Sequence, residues 1–254
     1  MNLRRCFAPL QLLFLLAAGL LATGARPALS QETIVLRNGQ NLQARILGTT
    51  PSGIRMVIGQ GEMVQPFANV TAVTMDPPPE FTAGRAAYEK NDLETARNNT
   101  AAVVANFKGL PTDWARQAML LLGDIDVGMN QLQKAAADYQ DYQRTYPAAA
   151  QSADIAVGLA RIDVSKKDYA AAKAKVDPIL AQALKLKNPA KTTAALIGRA
   201  FLVSGQVKEQ SGDLPGALED YLRTTAIFPE DRVAAASAQE RADAIRKQPG
   251  ITVP

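Results

Sequence analysis

Apolar positions change their rhythm once along this chain. Between residues 33 and 75 they fall in short runs, rich in β-branched side chains and parted by turn residues, which is the patterning of strands. Residues 33–37 predict a first strand, and the Asn38-Gly39 pair after it accepts positive φ and closes tight hairpins. Residues 42–48 predict a second strand. Pro51-Ser52-Gly53 turns the chain into a third at 54–58, and Gln60-Gly61 turns it into a fourth at 63–65. Residues 66–70 predict one helical turn before a fifth strand at 71–75. Asp76-Pro77-Pro78-Pro79 then stops the sheet, because proline brings no amide donor to a ladder, and residues 77–80 predict a short, stiff linker. From Glu80 onward apolar residues recur at intervals of three and four and alanine becomes frequent. The rest of the chain therefore predicts helix.

A small motif recurs within this helical region. Gly84 and Ala96, Gly123 and Ala135, Ala160 and Ala172, and Gly205 and Ala217 are each twelve residues apart, and successive pairs begin 39, 37 and 45 residues after one another. A fixed inner spacing with a roughly constant outer period marks a repeated helix-turn-helix unit. In the fourth unit Gly212 suits the left-handed end of one helix and Asp213 the N-cap of the next. Ala217 and Tyr221, four residues apart, share one face of the second helix, and Pro229 closes the unit. Residues 231–247 predict a final helix of mixed polarity that caps the stack, as a repeat array needs. Residues 248–254 predict a loose tail.

These positions resemble the tetratricopeptide repeat. Phe201, Gly205, Ala217, Tyr221 and Pro229 stand where that family places large, small and closing residues, and Met119, Leu122, Gly123, Ala135, Tyr139 and Pro147 do so in the second unit. The first unit has Thr100, and the third Val176, where an aromatic is usual. The resemblance covers about 80–247, with units at about 81–111, 112–147, 148–187 and 188–230. The strand rhythm of 31–76 resembles, less specifically, a small barrel of the Sm-like or Src-homology-like kind. Together they imply two domains: a small all-β barrel of about five strands, then an all-α helical-repeat solenoid.

Composition changes the picture mainly at the N-terminus. Arg4 and Arg5 precede an apolar run from Leu10 to Ala22, and Ala28-Leu29-Ser30 reads as a small-x-small cleavage site. Residues 1–30 thus predict a secretory signal peptide, with an uncleaved membrane anchor as the alternative. That segment holds Arg4, Arg5 and Arg26 and no acidic residue, so the remainder keeps 25 of the 28 basic residues against 24 acidic ones. A balance of +1 removes the main electrostatic support for a nucleic-acid or anionic-membrane role, and no direct membrane insertion is expected once the signal is cleaved. Cys6, the sole cysteine, leaves with the signal, and the chain has no histidine. Without those two residue types the commonest general base, metal ligand and thiol nucleophile are missing. No enzyme activity, cofactor or metal is expected.

In the tetratricopeptide family the first helix of each unit lines a concave groove. The resemblance carries that role here to Gln117, Leu120, Asp124, Val127, Asp154, Val157, Arg161, Arg199, Leu202, Gln206 and Glu209. The mixture of apolar and charged groups suits an amphipathic helix or an extended peptide. Trp114 reads as a packing anchor at a helix start, with ligand stacking as the alternative. The expected function is an exported, non-catalytic adaptor of the cell envelope, in a periplasm, that binds a protein or peptide. A self-assembling structural protein, and less so a cell-wall enzyme accessory, are the alternatives.

Overall fold

The computed structural model describes residues 32–248, so the signal segment and the tail lie outside the described residues. The chain opens with an antiparallel sheet of β1 (Glu32–Leu36), β2 (Asn41–Thr50), β3 (Gly53–Ile58), β4 (Gly61–Pro66) and β5 (Val70–Thr74), in the order β4-β3-β2-β1-β5. A 3-10 turn, Phe67–Asn69, precedes β5. The expected barrel closure is not made: β4 and β5 are the two outer strands and do not pair with each other. One face of the sheet is apolar, and Ile34, Ile54 and Met56 on it are fully buried.

That face is covered by the helical region rather than left to itself. Helices α1 (Pro79–Glu89), α2 (Leu93–Phe107) and α3 (Asp113–Gly128) follow the prolines. Their Phe81, Val103 and Trp114, with Leu110 between α2 and α3, enter the same core as Ile34, Ile54 and Met56. Trp114 packs edge-on to Phe107 at 5.3 Å, and its Nε1 donates to the Met75 carbonyl at 2.9 Å, at the exit of the sheet. At Gly48 the backbones come so close that a Cβ would lie 2.7 Å from the Asn106 carbonyl. Thr49 Oγ1 donates to the Lys108 carbonyl at 2.8 Å beside it. The linker expected at 77–80 is shorter than that, because Pro79 is already the first residue of α1, where its fixed φ and missing amide cost nothing.

The chain continues through α4 (Leu132–Thr145), α5 (Ala153–Ser165), α6 (Tyr169–Ala183), α7 (Lys191–Gln210) and α8 (Leu214–Leu222), then a π turn at Arg223–Ile227 and α9 (Arg232–Arg246). Consecutive helices pack as hairpins, α1 with α2, α3 with α4, α5 with α6 and α7 with α8. All four hairpin turns have one geometry. Asn91, Asn130, Lys167 and Gly212 hold positive φ, and the next residue's amide reaches back to the carbonyl five residues earlier, which satisfies the open end of the first helix. Asp92, Asp168 and Asp213 then cap the second helix by accepting an amide from three residues on, a contact worth about 1 kcal/mol.

The repeated small residues explain how tightly the hairpins close. Ala96, Ala135, Ala172 and Ala217 are fully buried. Against the glycine of the facing helix stands the residue four further along: Thr100 on Gly84, Tyr139 on Gly123 and Tyr221 on Gly205. A Cβ on Gly123 would lie 2.6 Å from the Tyr139 ring, so the glycine is the space the ring occupies. Val176, the counterpart in the third hairpin, is likewise fully buried.

Candidate functional site

Helices α1, α3, α5, α7 and α9 form an inner row, each touching the next, and α9 returns to touch α1. Val233, in the first turn of α9, packs on the cluster that holds Ala87 and Tyr88 of α1 and Ile125 of α3. The inner faces line two open cavities. One of about 480 Å³ is lined by α3 from Asp113 to Asp124, by Asp154 of α5 and by α7 from Thr192 to Arg199. The other, of about 280 Å³, lies further along the same helices, at Val127, Arg161 and Leu202. Tyr88, Arg199, Asp231 and Val233 border both.

Between the cavities lies a cluster of ions. Asp124 of α3 accepts hydrogen bonds from Arg161 Nη1 of α5 at 2.5 Å, Arg199 Nη1 of α7 at 2.7 Å and the Tyr139 hydroxyl of α4 at 2.8 Å. Tyr139 reaches it because Gly123 and Gly158 leave room for its ring on two sides. Arg199 also donates to Asp154 at 3.0 Å and lies 3.6 Å from Asp231; Asp231 meanwhile caps α9 by accepting the Ala234 amide. Asp124, Arg161 and Arg199 expose only 8%, 16% and 14% of their side chains, so burial is costly and pairing is what offsets it. Burial, the largest single influence, would lower both guanidinium pKa values, but Asp124 together with Asp231 and further neighbouring groups holds both above the ordinary value. Burial also raises the Tyr139 phenol well above its usual range, with the Asp124 charge adding to it. Both arginines therefore stay charged, and the Tyr139 phenol stays protonated, across any ordinary pH.

The eleven residues expected in the groove divide three ways. Gln117, Leu120, Asp124, Asp154 and Arg199 line the larger cavity. Val127, Arg161, Leu202 and Gln206 line the smaller, together with Arg199. Val157 and Glu209 line neither. Val157 is fully buried in the core between α5, α6 and α7, since it falls on the side of α5 turned toward α6. Glu209 accepts from the Tyr221 hydroxyl and from Arg241 at 3.0 Å, which binds α7 to α8 and α9. Asp124, expected as a ligand contact, is almost entirely consumed by its own partners.

The lining of the larger cavity is partly apolar and partly charged. Phe81, Leu120, Leu121, Leu196 and Val233 supply the apolar part. Six carboxylates line the cavity, those of Glu89, Asp113, Asp124, Asp154, Glu230 and Asp231, against three guanidiniums, those of Arg85, Arg199 and Arg232. Asp113 and Asp154 stand in the first turns of α3 and α5, where helix dipoles favour negative charge.

A second buried carboxylate lies two residues along α3, on its other side. Asp126 is fully buried and takes a hydrogen bond from Arg97 Nε of α2 at 2.6 Å. Its neighbour Asp138 of α4 has a buried Oδ2 that no group donates to. Burial first, then the Asp126 charge and the hydrogen bond between the two carboxyls, push Asp138 up to about 7. Sequence reasoning missed this pair, whose only signal was an acidic residue among small and apolar ones on α4. Among the described residues no group of three or more histidine, cysteine or carboxylate side chains is placed to hold a metal ion.

No protein-family model, no curated protein and no solved structure matches this chain.

Proposed function

We propose that this chain is an exported, non-catalytic scaffold of the cell envelope whose helical region, a solenoid of tetratricopeptide-like hairpins, holds a segment of another protein in its larger cavity. The observation that carries the reading is the makeup of that cavity: apolar side chains beside twice as many carboxylates as guanidiniums. Such a lining selects a segment bearing lysine or arginine beside apolar side chains. The central charges support binding over reaction, since Asp124 is engaged by three donors and leaves no carboxylate oxygen free to act as a base. Export rests on the sequence alone, on the basic residues, apolar run and small residues before Gln31. The sheet, whose strand order and 3-10 turn suit an opened Sm-like barrel, serves in this reading as a platform that fixes α1 to α3.

Photo-crosslinking in intact cells tests the proposal. A crosslinker at Gln117, in the larger cavity, is expected to give a discrete protein adduct that the same group at Glu240, on the exposed side of α9, does not. Equal labelling at both positions, or none at Gln117, overturns it.

One observation favours a second reading, self-assembly. β4 is an outer strand, and Met63 and Val64 on it, with Ile58 on β3, are exposed, which is the makeup of an edge open to another strand. Light scattering over a concentration series separates the two: growth in mass with concentration supports assembly, and a constant mass rejects it.

A further inference from the structure

The segment joining α6 to α7 reads Leu184-Lys185-Leu186-Lys187-Asn188-Pro189-Ala190, and Lys191 opens α7. Leu184 is 72% exposed and Leu186 49%, and Ile227, in the π turn, is 59% exposed. Leu184 and Ile227 are the chain neighbours of Ala183 and Phe228, which belong to one small apolar cluster with Ile197 and Phe201, so the exposed side chains border a common site. Lys185, Lys187 and Lys191 are exposed and make no ion pair with any described residue, whereas the nearby Lys173 and Lys175 are each taken up by an aspartate. Glu230 is the nearest free carboxylate along the chain on the π-turn side, and Arg223 there is engaged by Glu219 and Asp220.

We propose that this segment is a peripheral docking site for an anionic lipid surface. Leucine and isoleucine enter the headgroup boundary while the lysines between them stay at the level of the phosphates. Three scattered apolar side chains are too few for the core of a stable protein interface, which needs well over ten residues a side, but they suffice for a reversible interfacial anchor. The near-zero balance of the whole chain conceals this site, because field strength at a surface depends on local charge and falls off within a Debye length. This is contact, not a span: among the described residues no helix is long and apolar enough to cross a membrane.

The test uses residues 31–254, which omit the apolar run from Leu10 to Ala22. Co-sedimentation is measured with vesicles of phosphatidylglycerol and phosphatidylethanolamine and with vesicles of phosphatidylcholine. Partition is expected to favour the anionic vesicles, to weaken with added salt, and to fall about fivefold for each of K185Q, K187Q and K191Q. L184D combined with L186D is expected to abolish it, with the thermal unfolding curve unchanged because both side chains are exposed. Equal partition to both vesicle types overturns the proposal, as does wild-type partition by the variants. So does a crosslinker at Leu186 that labels protein and gives the same adduct after the membranes are removed.

Discussion

Asp124 and Asp126 are two residues apart on one helix and both are buried, yet they live under opposite electrostatic regimes. Asp124 faces the inner row and is held by two arginines from α5 and α7 and by a tyrosine. Asp126 faces α2 and α4, has a single arginine, and shares it with a second carboxyl, Asp138. Where two guanidiniums converge on one carboxylate, as on Asp124, pairing offsets the cost of burial. Where cations fall short, the system neutralises a carboxyl instead. The same helix thus supplies a joint held by two guanidiniums on one side and a titrating one on the other.

The largest test breaks the arginine-held joint. Asp124→Ala leaves Arg161 and Arg199 buried without their shared anion, and is expected to cost about 3–5 kcal/mol, measured as a drop in urea midpoint. A loss below about 1 kcal/mol would mean that Asp154 and Asp231 can carry both arginines, and that the cluster is not centred on Asp124. Tyr139→Phe is a smaller cut at the same joint. It removes one donor to a charged acceptor while keeping the ring between Gly123 and Gly158, for a loss of about 1.5–3 kcal/mol that should not vary between about pH 5 and pH 9.

The smallest effect is the most diagnostic of the titrating side. Asp138 keeps its proton in the folded chain up to about 7, whereas an unfolded aspartate loses it near about 4. Folding therefore takes up a proton between those values. The stabilisation is complete below about pH 4 and is lost as pH rises toward about 7. Asp138→Asn keeps a donor toward Asp126 at every pH, so the variant's stability curve should be flatter over that window. At about pH 8 it should exceed the wild type by about 1 kcal/mol. Parallel curves for the two proteins would place the proton elsewhere.

What was legible from sequence was mostly what neighbours along the chain decide. Asp213 follows Gly212, and a cap beside a residue that accepts positive φ announces a hairpin from local chemistry alone; Lys167, before Asp168, takes the same conformation without any such signal. The glycine and alanine pairs were legible because a helical period fixes which positions meet across a hairpin. Thr100 and Val176, departures from the repeat pattern, turned out to occupy the same buried place as Tyr139 and Tyr221. Most of the inner-row positions followed from the same register. Val157 and Glu209 did not, since a one-position rotation about a helix axis turns a lining residue into a core or bridging one.

By itself, then, the sequence determined the change from sheet to helix, the four hairpins with their turns and caps, and the residues that let each pair close. All of these depend on side chains close to one another along the chain. Only the tertiary structure decided that the sheet lends its apolar face to α1, α2 and α3, and that α9 returns to α1. It alone brought Arg161 and Arg199, 37 and 75 residues away, onto Asp124. Those contacts join helices far apart in sequence, and burial sets the charge of what they bring together; neither is carried by any local stretch of the chain.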